Sequence, residues 1–528
     1  MRGDLVIGVQ TGAGLAGHAD FGALFRDWLV GRPELGAATA ELEEFFAGAE
    51  VGSAAGAAWA SAAWREAWLA SLLPDLPDDA ARDQARRAVR RLGDGRAQVV
   101  ITGQQPGFLG GPLYTLYKIA AAVVLAELRT AAGHATVPVF WSGDDDDDYR
   151  EALQPVAWDP GRAILVRHAD HGRRGLPTDR MVGELPAAEV ALGEAAWLDE
   201  IAGHGELARD LAARYREAVA AGESWSRLQR RAMLRIFAGH GLLVVHGNDA
   251  RLHEAAAPFY QRLWDDRARL RDLARSGGRQ LAAAGYPTAV SEPSIQRFLH
   301  LGRAGRRQPL AADHAGQMPG AAELRPGVVA RSLVQDWLFR PAGVVVGPGE
   351  VAYLKQLAPI YAAFELPRAP LLPRLFAQLG PAGHGAFRTW ALGVADRAPI
   401  TAVDDLRLAA QRAAAVSRVE VLAALRGEGG VDAARAEALA EQVLRRWTRH
   451  FAGILQREQQ RRHEDPGAGQ PAWLRPEGRR QERSLAAFAA AALWGDAFIE
   501  ALAHAGRRHF DAGLDGDWRE FLLTVPEP

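Results

Sequence analysis

The strongest constraint on the fold is a pattern that occurs four times along the 528 residues: a short apolar block, a turn rich in glycine or aspartate, then a helical stretch. Ala97 to Thr102 (AQVVIT) leads through GQQPGFLGG into PLYTLYKIAAAVVLAEL, and Val137 to Ser142 (VPVFWS) leads into GDDDDD and a short helical segment. Leu242 to His246 (LLVVH) leads through GND into RLHEAAAPFYQRLW. Gly343 to Val346 (GVVV) leads through GPGE into VAYLKQLAPIYAAF. Short apolar strands alternating with helices predict an α/β fold around a mostly parallel sheet. Ligands of such sheets bind outside the carboxyl ends of the strands, so these four loops are expected to gather around one site.

Helical stretches such as Ala195 to Gly239 read as insertions or flanking helices. The composition shifts after Pro399. Leu406 to Arg426 and Ala433 to Arg462 are long Ala-, Arg- and Glu-rich helical patterns joined by GEGG, which predicts an antiparallel hairpin arm. Leu439, Val443, Trp447, Phe451 and Leu455 recur every fourth residue there, as on a packing or dimer surface. DPGAGQP (Asp465 to Pro471) reads as a linker, and a helical segment from Glu482 to Ala505 is expected to close the chain. Three parts are expected: an α/β core over 1–399, a helical arm over 400–465 and a C-terminal helical segment over 466–528.

Composition narrows the function. Hydrophobic residues at 48% and charged residues at 24% are globular values. The 62 basic residues are matched by 64 acidic ones, so the basic excess of a nucleic-acid surface is missing. Cysteine is absent, which excludes disulfides, thiolate zinc sites and a catalytic thiol. The N-terminal stretch lacks the pattern of a signal peptide, and no apolar run reaches the roughly 18 residues of a membrane helix. A soluble, cytoplasmic protein is expected. Only two of the 62 basic residues are lysines, Lys118 and Lys355. Arginine cannot replace lysine where a compact ammonium must fit, and the setting of Lys118 singles it out; Lys355 reads as a surface lysine.

The segment from Thr102 to Lys118, TGQQPGFLGGPLYTLYK, carries the densest signal. Gly103, Gly107, Gly110 and Gly111 permit close backbone approach to a ligand, and Gln104 and Gln105 add neutral donors and acceptors. Pro112 suits a first helical turn, whose free N–H groups favour an anion. Tyr114 and Lys118 share a helical face one turn on; the plain alternative is a tight turn with a solvent-facing lysine. Asp144 to Asp148 reads either as a Mg²⁺ site or as a solvated acidic loop. GPGE (Gly347 to Glu350) is a second helix start, with Glu350 placed to bind an amine or to cap the helix. GAGLAG (Gly12 to Gly17) matches a dinucleotide fingerprint formally but lacks the following strand and acidic residue, so a flexible start is the better account. No P-loop, HExxH or GxSxG motif occurs. Among the histidines, His246 stands nearest the expected site, as a structural residue.

Taken together, TGQQPGFLGGPLYTLYK and VPVFWSGDDDDDYREA resemble the bacillithiol biosynthesis cysteine-adding enzymes, the BshC family. SLVQDWLFRPAGVVVGPGEVAYLKQLAPIYAAFELP (Ser332 to Pro367), GYPTAVSEPS (Gly285 to Ser294) and PEGRRQERS (Pro476 to Ser484) fit it in the same order. The resemblance implies a Rossmann-like core with inserted segments, a helical coiled-coil arm and a homodimer. The implied reaction joins the carboxylate of cysteine to the amine of glucosaminyl-malate. The core is similar to those of class I synthetases and nucleotidyltransferases, which implies a nucleotide such as ATP. Thr102, Gly103, Gln104 and Gln105 match the family's first loop, and Tyr114 and Lys118 its helix. Gln335, Asp336, Gly347, Pro348, Gly349, Glu350 and Tyr353 match its later motif. The acidic segment departs. The family reads Glu-Asp-His-Asp-Phe where this chain has Asp145 to Tyr149, so Asp147 replaces a histidine, and Gln154 stands where a second commonly follows.

The function expected from all this is amide ligation. Lys118, Asp146 and Asp148 are the catalytic candidates, with Asp146 and Asp148 also the candidate Mg²⁺ ligands. Thr102, Gly103, Gln104, Gln105, Gly110, Gly111, Tyr114, Gln335, Asp336, Gly347, Gly349 and Glu350 are the candidate substrate- or nucleotide-binding residues. Loss of two imidazoles keeps open a divergent member acting on another amine and carboxylate, and a non-catalytic nucleotide-binding dimer.

Overall fold

The computed structural model describes residues 7–18, 20–48, 62–148, 152–159, 164–167, 180–310, 316–381 and 479–526. The chain divides into one unit of residues 1–387 with 481–528 and another of 388–480. The hairpin arm expected over 400–465 and the linker at 465–471 lie outside the described residues.

Five parallel strands build the central sheet: β1 (Gln98–Gln104), β2 (Thr136–Ser142), β3 (Leu243–His246), β4 (Gly343–Val346) and β5 (Leu371–Pro373). Their spatial order is β5-β4-β1-β2-β3. Val99, Val100, Ile101, Val139 and Phe140 are all buried, as strands covered on both faces require. The four apolar blocks of the sequence are four of these strands, and Leu371–Pro373 adds an edge. The order reverses between β1 and β4. The chain steps outward from β1 to β2 and β3, then crosses back to β4 on the other side. Thr102 closes this junction by donating its hydroxyl to the Val345 carbonyl at 3.0 Å.

Helix α1 (Tyr114–Ala131) follows β1 and is buried from Thr115 through Ala126. An amphipathic helix would expose one face. This one is covered by the sheet and by α4 (Ala487–Leu514), where Gly506 lets the two helices approach so closely that a Cβ would stand 3.1 Å from Val124. Helix α2 (Val328–Phe339) precedes β4, and α3 (Pro348–Ala363) follows it.

The chain does not close on a helix. Strand Arg519–Val525 pairs antiparallel with Gly8–Gly14 and parallel with Ala377–Pro381. The glycines of GAGLAG that fall in Gly8–Gly14 are therefore edge-sheet residues, and the dinucleotide fingerprint has no strand-to-helix turn to act on. A third sheet is a small antiparallel one, Arg306–Pro309, Leu299–Arg303 and Leu324–Pro326. Its register pairs His300 with Arg325 and Gly302 with Arg307, so His300, Arg307 and Arg325 share one face. Among the described residues no helix is long and apolar enough to cross a membrane.

A candidate active site at the strand ends

At the reversal of strand order, the carboxyl ends of β1, β2 and β4 open into a cavity of about 780 Å³. Gly103 and Gln104 at the end of β1 and Gln105 just after it line the cavity together with Gly347, after β4, and Pro348 and Gly349 at the start of α3. Gly103 has no room for a side chain: a Cβ would lie 2.6 Å from the Arg331 guanidinium and 2.8 Å from the Trp141 carbonyl. The amide nitrogen of the Gln105 side chain is buried in this wall without a hydrogen-bond partner among the described residues.

Lys118 joins the two loops. Its ammonium donates to the Gly103 carbonyl at 2.9 Å and to Gln104 Oε1 at 3.3 Å, and pairs with Glu350 Oε2 at 2.7 Å. The same Glu350 oxygen accepts the Gly347 N–H at 2.8 Å, so Glu350 caps α3 and binds an amine at once, the amine being that of Lys118. Burial holds the Lys118 ammonium below its ordinary pKa, against the pull of Glu350. Tyr114 stands beside it, 5.8 Å from ring centre to Nζ.

Glycines 110 and 111 do not reach the cavity. Phe488 of α4 packs where a Gly110 side chain would stand, and the Gly111 carbonyl accepts the Ala487 N–H at 2.8 Å. Leu113 N–H is taken by the Leu485 carbonyl at 2.7 Å. The start of α1, expected to be open to an anion, is closed by the C-terminal segment instead.

The five aspartates separate. Asp144 is buried beneath the cavity, where burial raises its proton affinity but His246, Ser226 and the Asn248 N–H outweigh it and keep it ionised. His246 is thus occupied below the floor. Asp145 is buried in the cavity wall. Asp146 accepts Arg307 Nη1 at 2.8 Å, and Asp147 accepts the same nitrogen at 3.3 Å. Asp148 is exposed and outside the cavity lining, as is Gln154. Asp146 lines the cavity and Asp148 does not, and the described residues contain no group of three or more His, Asp or Glu side chains placed for a metal.

Gln335 and Asp336 also lie away from the cavity. Asp336 accepts the Tyr361 hydroxyl at 2.8 Å and the Gln335 amide at 3.2 Å in the packing of α2 on α3, where burial raises its pKa to about 6. Lys355 is no surface lysine. It pairs with Glu41 at 2.7 Å, and Glu41 in turn accepts the Leu371 N–H of β5.

Several cavity residues had no local signature. Arg297, His300 and Arg307 come from the small antiparallel sheet and its approach, Arg331 from α2, Arg374 from the end of β5 and Arg483 from the C-terminal segment. His300 brings an imidazole to the wall although the family's two histidine positions are filled by other residues; burial, then Arg307 and Arg297, push its pKa down to about 3. Lys118 pairs with Glu350, Arg307 with Asp146 and Asp147, and Arg374 with Glu482, which leaves Arg297, Arg331 and Arg483 without a carboxylate partner among the described residues, so the cavity favours an anionic ligand.

A family model described as "Bacillithiol biosynthesis BshC, N-terminal Rossmann-like domain" matches residues 39–375. The chain belongs to this family. The BshC match holds every wall of the cavity except Arg483, which the C-terminal segment supplies. Proteins named "Putative cysteine ligase BshC" from Koribacter versatilis and Shouchella clausii are 29% and 26% identical over 300 and 319 residues. These alignments cover 54% and 56% of this chain, and 55% and 57% of the relatives. The one from Geobacillus thermodenitrificans is 26% identical over 317 residues, covering 55% of this chain and 57% of its own length. The chain thus spans little more than half the length of these relatives.

Proposed function

We propose that this chain is a ligase that forms an amide between the carboxylate of cysteine and the amine of glucosaminyl-malate. The observation that carries the reading is the cavity at the strand-order reversal, whose wall combines an excess of guanidinium groups with a buried carboxylate. Such a wall can hold a molecule that bears both anionic groups and an amine. Membership of the BshC family and the cysteine-ligase names of the relatives support the choice of substrates.

Amide formation from a free carboxylate in water needs activation, and ATP with Mg²⁺ is the co-substrate in this reading. The protein's part is binding and orientation. Lys118 and Glu350 fix the spacing of the two glycine loops. Arg297, Arg331 and Arg483 take the anionic groups, and the loop amides at Gly103 and Gly349 allow close approach. A homodimer belongs to the same reading. The test is to give purified protein cysteine, glucosaminyl-malate and ATP·Mg²⁺ and to look for the conjugate by mass spectrometry. A product heavier than the acceptor by one cysteinyl residue is expected; no conjugate under any nucleotide condition removes the reading.

One observation favours a second reading, in which the chain joins a different amine and carboxylate. Asp147 and Gln154 replace the family's histidines, and neither lines the cavity. A thermal-shift screen of amino acids separates the two, because the true ligand stabilises the native state most.

A further inference from the structure

Every carboxylate around the cavity has a protein partner except one. Glu350 has Lys118, Asp146 has Arg307, and Asp144 below has His246, Ser226 and Asn248. Asp145 is only 4% exposed, lines the cavity, and has no hydrogen bond or ion pair among the described residues. A carboxylate removed from water and left unpaired is unfavourable unless a cation reaches it or it keeps its proton. The fold makes room for it all the same. Gly247, at the end of β3, has no side chain where a Cβ would stand 2.8 Å from Asp145 Oδ1. The charged groups that face it are Arg307 and Arg325, from the small sheet, and Arg331, from α2, with Asp144 and Asp146 on its own loop and the Tyr260 hydroxyl nearby. Burial and those two aspartates prevail over the guanidiniums and raise its proton affinity.

We propose that Asp145 is the ammonium-binding residue of the cavity, holding the primary amine of a ligand whose anionic groups lie against the arginines. The carboxylate receives the hydrogen-bonded cation it lacks, and Arg297, Arg331 and Arg483 receive the anionic partner they lack. A ligand with one end of each sign satisfies both. Within the ligase reading, on which this inference rests, two substrates carry such an amine: an amino acid and an amino sugar.

The test measures binding without turnover. Calorimetric titration of the full chain with L-cysteine is compared with 3-mercaptopropionate, which lacks the amine, and D-glucosamine is compared with glucose. The wild type is expected to prefer one amine over its analogue by about tenfold or more, the range of a charge-assisted hydrogen bond. The pair that shows the preference identifies which amine Asp145 takes. Asp145→Asn is expected to lose that preference while melting at the same or a higher temperature, since it removes an unpaired buried charge. A wild type that prefers neither amine, or an Asp145→Asn protein that melts normally and keeps the preference, overturns the inference. Amine preference without ligation removes the ligase reading and leaves Asp145 in its role. Ligation with an unchanged KM for both amines in Asp145→Asn does the reverse.

Discussion

Lys118 spends its hydrogen-bonding capacity inside the protein, on Gly103, Gln104 and Glu350. An arginine there would need space for a planar fork that these three acceptors do not leave. Lys118→Met strands Glu350, whose side chain is 22% exposed, and should cost about 2–3 kcal/mol, somewhat less than a fully buried pair. Glu350→Gln loses part of the same contact. The double variant is therefore expected to fall short of the sum of the singles by about 1 kcal/mol or more, as read from urea unfolding of the four proteins. Additive costs would mean the clasp is not a unit. Lys118 was conspicuous in the sequence because lysine is so rare there, but its partner across the sheet was not. Nor did the sequence distinguish among five adjacent aspartates. Their identity is uniform, and only the backbone path after β2 decides that Asp145 turns into the wall while Asp148 turns to solvent.

At the scale of elements, the C-terminal segment completes the cavity from outside the parallel sheet. Arg374, at the end of β5, meets Glu482 through two hydrogen bonds of 2.8 and 2.9 Å, with both side chains at most 2% exposed. The guanidinium also lies 4.0 Å over the Phe376 ring. Gln481 clasps Leu379 at both its N–H and its carbonyl. Together these hold Arg483 at the cavity. Glu482→Gln leaves Arg374 buried without its counter-charge and is expected to destabilise the protein by about 3–5 kcal/mol, measured by chemical denaturation. Ligand affinity should fall further than stability alone explains, because Arg483 is no longer held in place. An unchanged unfolding midpoint would show that the pair contributes nothing net. The strands and their glycine turns were legible because each is a local pattern repeated in one order. Strand Arg519–Val525 and the small sheet that carries His300 and Arg307 were not. Strand Arg519–Val525 is defined by partners distant in the chain, Gly8–Gly14 and Ala377–Pro381, and the strands of the small sheet are only three to five residues long.

For the whole molecule, buried titrating groups set opposing slopes of stability with pH. Glu194 is fully buried against Trp225 and beside Tyr215, and burial raises its pKa to about 8. Between its ordinary value and 8 the unfolded chain has lost this proton while the native state keeps it, so stability falls as pH rises through that window. Asp336, raised to about 6, acts in the same direction over a shorter range. His253 and His509 are buried with pKa values pushed down to about 3 and 4, mainly by burial, and His300 is near 3. Below the usual histidine range the unfolded chain binds protons that these three do not, so stability falls as pH drops. Among these five groups the three histidines prevail below about pH 6 and Glu194 above about pH 7. Glu194→Gln removes the alkaline slope. Its advantage over the wild type is expected to grow by about 1.4 kcal/mol per pH unit from about pH 5 and level off near pH 8. Urea midpoints taken from pH 4 to 9 for both proteins would show parallel curves if Glu194 were ionised in the native state, and diverging ones if burial keeps it neutral.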